Sequence, residues 1–159
     1  MSGALIREAH SADLQAILEL FAQPGVDDGK HLSLADAKKI FEKIKEYPDY
    51  KIYVAVLNAR VVGTFGLLIM DNLSHLGSPS GLVEAVVVDL ALQGHGIGKE
   101  MMGFAMERCR EQGCYKLALS GNLKREAAHR FYDSLGFQQH GYSFWVELKE
   151  DEDQLLALR

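Results

Sequence analysis

The sequence predicts one α/β domain, and three observations support that fold class. Short runs of β-branched and other apolar residues alternate with segments in which apolar residues recur at helical spacing. One such run, Leu82–Val88, leads through a glycine-rich turn into an amphipathic segment of about four turns. The chain has 159 residues, 48% of them hydrophobic and 25% charged, which is enough for one core and typical of a globular domain.

The first third of the chain predicts a strand at Leu5–Glu8 followed by two helices. Apolar residues at helical spacing mark the first helix, which ends at Pro24. Ser33 is a suitable N-cap for the second helix. That helix ends at Tyr47, because a residue that precedes proline avoids helical backbone angles.

The rest of the chain predicts a hairpin, a central strand, two further helices and three further strands. In chain order these are strands 52–57 and 61–70, strand 82–88, helix 96–112, strand 115–119, helix 126–135, and strands 137–140 and 142–148. We expect residues 1–149 to form a single domain and residues 150–159 to be a charged C-terminal tail.

The turn that follows the central strand carries the strongest functional signal. The first backbone N–H groups of the helix after it have no partner within the helix, and the helix dipole favours an anion there. A P-loop is excluded, because Gln93 stands where its first glycine belongs and Glu100 replaces its hydroxyl residue. A dinucleotide-binding turn is excluded as well, because Lys99 occupies the position of its last glycine.

The pattern that does fit is Gln/Arg-x-x-Gly-x-Gly/Ala, which Gln93, Gly96 and Gly98 supply. At a strand-to-helix junction this pattern resembles the coenzyme A pyrophosphate loop of the GNAT superfamily of N-acetyltransferases. A second motif of that family follows at its usual separation, namely Ala128-x-x-Phe131-Tyr132 and then Leu135-Gly136-Phe137. The two motifs, in order and at the expected spacing, extend the resemblance over residues 50–146.

The resemblance implies the GNAT fold and acetyl-CoA as co-substrate. The fold is a mixed, twisted sheet of about seven strands with helices on both faces. Its fourth and fifth strands, here Leu82–Val88 and Tyr115–Leu119, splay apart near their ends. The extended pantetheine arm would then complete the backbone pairing of the fourth strand at Val86 and Val88.

The resemblance also assigns acetyl-CoA contacts to the central strand, the glycine-rich loop and the helix of the second motif. The residues are Val86, Val87, Val88, Gln93, Gly94, His95, Gly96, Ile97, Gly98, Lys99, Asn122, Arg125, Ala128 and Phe131. Many relatives have asparagine seven residues before the motif tyrosine. Here that position is Arg125, and Asn122 three residues earlier is the alternative.

Acetyl transfer needs a deprotonated amine, a stabilised carbonyl oxygen and a proton for the departing thiolate. Glu84 lies among valines on the central strand, where we expect its carboxylate to be partly desolvated. It resembles the family's carboxylate and is predicted to be the general base, acting directly or through a water. Its alternatives are to hold the substrate ammonium or to have no role. Tyr132 matches the family's acid, and the Val86 N–H would polarise the carbonyl.

Composition narrows the partners. The net charge of −5 gives no reason to expect nucleic acid, and no apolar run approaches the length of a membrane span. The N-terminus carries no signal-peptide pattern, and two cysteines without metal spacing indicate a reducing, cytoplasmic location. We expect no metal, because the histidines are scattered. Homodimerisation is common in the family and stays open.

The predicted acceptor is a primary amine of a small molecule. The stretch from Lys124 to Tyr132 resembles aminoalkylphosphonate acetyltransferases, and Glu84 with residues 113–116 resembles glucosamine-6-phosphate acetyltransferases. Acceptor selection is expected in loops 22–32 and 71–81 and in the final strands, with Asp27, Asp28 and Tyr142 as candidates. The alternatives are a protein-lysine or N-terminal acetyltransferase, and a coenzyme-binding sensor without turnover.

Overall fold

The computed structural model describes residues 2–121, 125–146 and 148. These residues fall into two compact units, one that ends at Ser120 and one that begins at Gly121. The helices and strands of the first unit are β1 (Leu5–Glu8), α1 (Leu14–Phe21), α2 (Leu34–Glu46), β2 (Tyr50–Leu57), β3 (Arg60–Met70), β4 (Ser80–Val88), α3 (Ile97–Glu111) and β5 (Lys116–Leu119). The second unit contains α4 (Glu126–Ser134).

The strands of the first unit form one mixed sheet in the order β1-β2-β3-β4-β5. Neighbours from β1 to β4 are antiparallel, whereas β4 and β5 are parallel. Parallel neighbours need a crossover connection, and α3 provides it. The predicted mixed α/β sheet is therefore confirmed.

Helices cover both faces of this sheet, because consecutive strand residues point to opposite sides. On one face the Tyr53 ring lies against Phe104 of α3, with ring centroids 5.0 Å apart. On the other face the next residue, Val54, is fully buried in a cluster with Leu14 of α1 and Phe41 of α2. The predicted two-sided packing is confirmed.

Two glycines allow α3 to approach the sheet closely. A Cβ atom on Gly63 of β3 would lie 2.8 Å from the Met101 sulfur. A Cβ atom on Gly81 of β4 would overlap the sulfur of buried Cys109 and lie 3.0 Å from Leu117 Cδ1. This close packing fixes where α3 begins relative to the end of β4.

The second unit differs from the sequence prediction in its strands. Helix α4 agrees with the predicted helix, and Gly136, with φ of 86°, follows it in a left-handed conformation. The predicted strands 137–140 and 142–148 are wrong for the residues that the structure describes there, which form no strand. Among the residues that the structure describes, the sheet therefore has five strands rather than about seven. Alternating apolar residues indicate a strand, but they do not specify the neighbour whose backbone must pair with it.

No helix in the described ranges is long and apolar enough to cross a membrane.

Candidate active site

A bulge in β4 shapes the middle of the sheet. Thr64 of β3 pairs with Val87 and Gly66 pairs with Glu84, so two residues of β4 lie opposite one residue of β3. The first of them, Ala85, has φ of 50°, which is uncommon for a residue with a Cβ atom. A bulge bends its strand and changes the direction of its backbone groups. Nothing in the stretch Val83-Glu84-Ala85-Val86-Val87-Val88 signals this feature.

Strand β4 leaves β5 at the same point. The parallel pairing runs from Ser80 opposite Lys116 to Val83 opposite Leu119, whereas β4 continues to Val88. Beyond Val83 the described strand β4 pairs with β3 alone. The predicted splay of the two strands is therefore present, and it opens a backbone edge that an extended, amide-bearing molecule can join.

The loop after β4 turns through left-handed glycines. Gly94 and Gly96 have φ of 80° and 89°. Gln93 donates from Nε2 to the Val88 carbonyl over 3.4 Å, and its own carbonyl lies 3.0 Å from His95 Nδ1. Apart from the two chain neighbours, no described residue has an atom within 4 Å of the position that a Cβ atom on Gly94 would take, so these residues leave the space beside the turn open.

The N-terminus of α3 is suited to an anion. Gly96 occupies the N-cap position and has no side chain that could cap the first turn. The side chain of Ile97 is buried and anchors this turn in the core, whereas Lys99 is exposed. The first-turn amides thus face the glycine loop with the positive end of a helix dipole behind them.

Glu100 in the same turn has a role that the sequence analysis missed. Its carboxylate accepts hydrogen bonds from the Ser2 amide and hydroxyl at 2.6 and 2.7 Å, and from the Ala4 amide at 3.2 Å. The hydrogen bond from the Ser2 hydroxyl is the main reason that the pKa of Glu100 is lowered. The residue that breaks the P-loop pattern therefore holds the N-terminal segment against α3.

Glu84 lies on the face of the sheet opposite α3, and its side chain is exposed. The expectation that it is partly desolvated is wrong. Its pairing partner on β3 is Gly66, which has no side chain that could cover the Glu84 carboxylate. The ring of Tyr50 lies over Gly66 instead, because a Cβ atom on that glycine would be 2.9 Å from the Tyr50 hydroxyl oxygen. Burial is the main reason that the pKa of Tyr50 is raised, and the negative charge of Glu84 is the second.

The residues of the second motif lie in the second unit. Tyr132 packs against Phe131 and, edge to face, against Phe137, with ring centroids 5.1 and 5.6 Å apart. Burial raises the pKa of Tyr132, and the Arg125 charge opposes that shift. Ala128 and Phe131 are half-buried, and Arg125 is exposed at the N-cap of α4. Asn122 and Lys124 lie outside the described residues.

The predicted acceptor-selecting residues are divided between the two units. Asp27 and Asp28 are exposed between α1 and α2, where Asp28 accepts a 2.7 Å hydrogen bond from the Gly25 amide. Tyr142 is exposed in the second unit. Among the described residues, no group of three or more His, Cys, Asp or Glu side chains is arranged to hold a metal ion.

A model of the acetyltransferase (GNAT) family matches residues 14–137. The protein belongs to this family. Along 147 residues it is 29% identical to a glucosamine 6-phosphate N-acetyltransferase of Trypanosoma brucei brucei, an alignment that covers 90% of this chain and 95% of the relative. An aminoalkylphosphonate N-acetyltransferase of Salmonella typhimurium is 33% identical over 97 residues, with 61% and 62% of the two chains covered.

A solved structure described as a putative acetyltransferase from Agrobacterium tumefaciens shares the fold with a TM-score of 0.84. It is 31% identical in sequence, and the alignment covers 90% of this chain and 99% of that one.

GNAT acetyltransferases use acetyl-CoA as co-substrate, and two features of the first unit fit that molecule. The left-handed loop and the uncapped start of α3 suit a diphosphate. The open edge of β4 suits the amides of a pantetheine arm. Backbone groups form both features. This explains why the positions of valines and glycines in the sequence contribute so much to the prediction of a coenzyme site.

Proposed function

We propose that this GNAT acetyltransferase transfers the acetyl group of acetyl-CoA to a primary amine of a small molecule by direct attack in a ternary complex. The observation that carries the proposal is the geometry of β4. This strand leaves β5 at Val83 and then leads into a helix whose first turn is uncapped. A thioester held along that edge would lie close to Glu84 at the bulge.

The coenzyme would be held mainly by backbone. The amides of the 93–99 loop would bind its diphosphate, with Lys99 adding a positive charge, and the backbone of residues 86–88 would pair with the pantetheine amides. The helix of the second motif would contact the remainder through Ala128 and Phe131. Arg125 is exposed at the start of α4 and is available to a phosphate of the coenzyme. Asn122 is the alternative residue for this contact.

In the reaction the amine nitrogen forms a bond to the acetyl carbon, and the carbon–sulfur bond breaks. The amine proton passes to Glu84, directly or through a water, which the exposure of that carboxylate allows. The Val86 N–H would stabilise the charge on the carbonyl oxygen. Tyr132 would protonate the thiolate, since its raised pKa keeps the phenol protonated at neutral pH. Glu84 could instead hold the acceptor's ammonium without accepting its proton.

The acceptor that we propose carries a phosphate or phosphonate as well as the amine. Both named relatives act on amines of that type, as their names state. We further propose a cytoplasmic location, with which the free thiols of Cys109 and Cys114 are consistent. Homodimerisation in solution is the final element of the proposal, and size-exclusion chromatography with light scattering measures it.

A thiol-release assay with acetyl-CoA tests the function. The panel contains amino sugars, their 6-phosphates, aminophosphonates, simple amines and lysine peptides. We expect release with a phosphorylated or phosphonylated amine. Release with peptides alone would favour a protein acetyltransferase, and acetyl-CoA binding without any release would indicate a sensor.

Two variants then assign the chemistry. Glu84→Gln should lower kcat by about 10²- to 10⁴-fold, the usual contribution of a general base, without weakening acetyl-CoA binding. If Glu84 only anchors the ammonium, the acceptor KM rises instead. Tyr132→Phe should lower kcat at unchanged acetyl-CoA affinity. Glu107→Gln and Tyr47→Phe are the matched controls, because both residues are exposed.

A further inference from the structure

The face of the sheet that carries Glu84 has a second polar group, the Tyr50 hydroxyl, that the proposed mechanism does not use. Tyr50 is the first residue of β2 and pairs with Leu68 of β3, yet its ring extends across the neighbouring glycine, Gly66. A Cβ atom on Gly66 would lie 2.9 Å from both the Cε2 and the hydroxyl oxygen of Tyr50. Because Gly66 pairs with Glu84 on β4, the phenol lies over the β3 residue that is the backbone neighbour of Glu84.

On its other side the Tyr50 ring has an aromatic neighbour and a cavity. The Tyr47 ring meets it nearly edge-on, with the centroids 6.3 Å apart. Tyr50 also lines a cavity of about 190 Å³ between the end of α2 and the start of β2, together with Ile44 and Ile52. The ring is half-buried, whereas Tyr47 is 59% exposed. The Tyr50 ring is therefore partly shielded from solvent where it lies over Gly66.

The two groups are chemically complementary toward one nitrogen. A primary ammonium has three N–H donors. The Glu84 carboxylate can accept one of them, and a phenolic oxygen can accept another. Burial and the nearby carboxylate both raise the pKa of Tyr50, so the phenol stays neutral and adds no second negative charge. Two acceptors therefore bind one ammonium more tightly than the Glu84 carboxylate alone.

We propose that Tyr50 is a specificity-determining residue of the acceptor site, where its hydroxyl and the Glu84 carboxylate together bind the amino group to be acetylated. This inference rests on the proposed function, since it assumes that the amine binds beside Glu84. It adds a binding group from β2, outside both motifs that identify the family. Gly66 belongs to the same arrangement, because any side chain there would displace the Tyr50 ring.

Tyr50→Phe tests the inference, because it removes the hydroxyl and keeps the ring that packs over Gly66. A hydrogen bond to a charged group corresponds to about a ten- to hundred-fold change in binding. We therefore expect the acceptor KM to rise by about that factor, while kcat and the acetyl-CoA KM stay unchanged. Tyr47→Phe is the matched control and should leave all three constants unchanged.

Gly66→Ala provides a second, independent perturbation. It should raise the acceptor KM because the added methyl displaces the phenol, and it should have no further effect in the Tyr50→Phe background. Circular dichroism and acetyl-CoA titration confirm that each variant is folded. Tyr50→Phe kinetics equal to those of Tyr47→Phe, with an active wild type, would overturn the inference alone. An inactive wild type that releases no thiol with any amine would remove the proposed function and this inference together.

Discussion

Replacing Gly81 with alanine should destabilise the protein, because α3 packs on β4 with no room for a Cβ atom there. The added methyl would overlap the Cys109 sulfur and sit 3.0 Å from Leu117 Cδ1, and both neighbours belong to packed elements. Overpacking of this kind costs up to about 3 kcal/mol. Alanine in a strand recovers about 0.5–1 kcal/mol relative to glycine, so we expect a net loss of about 2 kcal/mol.

A double-mutant cycle with Cys109→Ala tests this reasoning. Cys109→Ala alone should cost about 1 kcal/mol, a typical value for a destabilising single substitution. It also creates the space that the Gly81→Ala methyl needs, so the double variant should be about as stable as Cys109→Ala alone. Urea denaturation followed by circular dichroism measures each free energy of unfolding. Additive losses, within about 0.5 kcal/mol, would refute the steric account.

Gly103→Ala on the same helix is the control. Apart from its chain neighbours and the nearby backbone of its own helix, no atom of the described residues lies within 4 Å of the position that its Cβ would occupy. The substitution should therefore stabilise the protein by about 0.8 kcal/mol through helix propensity.

Three further predictions concern the bulge, the N-terminal ion pair and the cysteines. Ala85→Val should unfold at lower urea and transfer acetyl more slowly, because a β-branched residue disfavours the φ of 50° that the bulge requires; normal stability and rate would contradict this. The pKa of Asp13 is lowered chiefly by its hydrogen bonds from Arg7, so this carboxylate stabilises the fold above the pKa of an unfolded aspartate, about 4, and the contribution disappears as the pH falls through the lower folded value. Asp13→Asn should therefore lower the free energy of unfolding by about 2 kcal/mol at pH 7. Urea titrations in which wild type and variant differ by the same free energy at acid pH would contradict this. Burial is the main cause that raises the pKa of Cys109 to about 12. A thiol reagent at pH 8 should therefore modify half-buried Cys114 in the native protein and both cysteines only after unfolding, and mass spectrometry measures the modification.

Sequence patterns predicted the local elements well because hydrophobic spacing and turn residues act locally. The Ser33 cap is an example: its side chain accepts a hydrogen bond from the Asp36 amide at 3.1 Å, as the start of α2 requires. The glycine-rich turn is another, since left-handed angles at Gly94 and Gly96 need residues without Cβ atoms.

The features that the sequence did not predict depend on which strands become neighbours. The bulge at Ala85 follows from the pairing of β4 with β3, and a residue with a Cβ atom gives no hint of a positive φ. The exposure of Glu84 depends on Gly66, eighteen positions earlier in the chain, and the place of Tyr50 depends on the same glycine. The described residues from 137 to 146 and residue 148 form no strand for the same reason, because a pattern of alternating residues defines the faces of a strand but does not specify its pairing partner.

Titration of ¹⁵N-labelled protein with coenzyme A, followed by amide chemical shifts, tests the central claim most directly. If backbone amides at the start of α3 bind the diphosphate, the largest shifts will fall on Gly94, Gly96, Gly98 and Lys99, with a second group at Val86–Val88. Shifts confined to other parts of the sheet, or saturating binding that leaves these amides unmoved, would contradict the account.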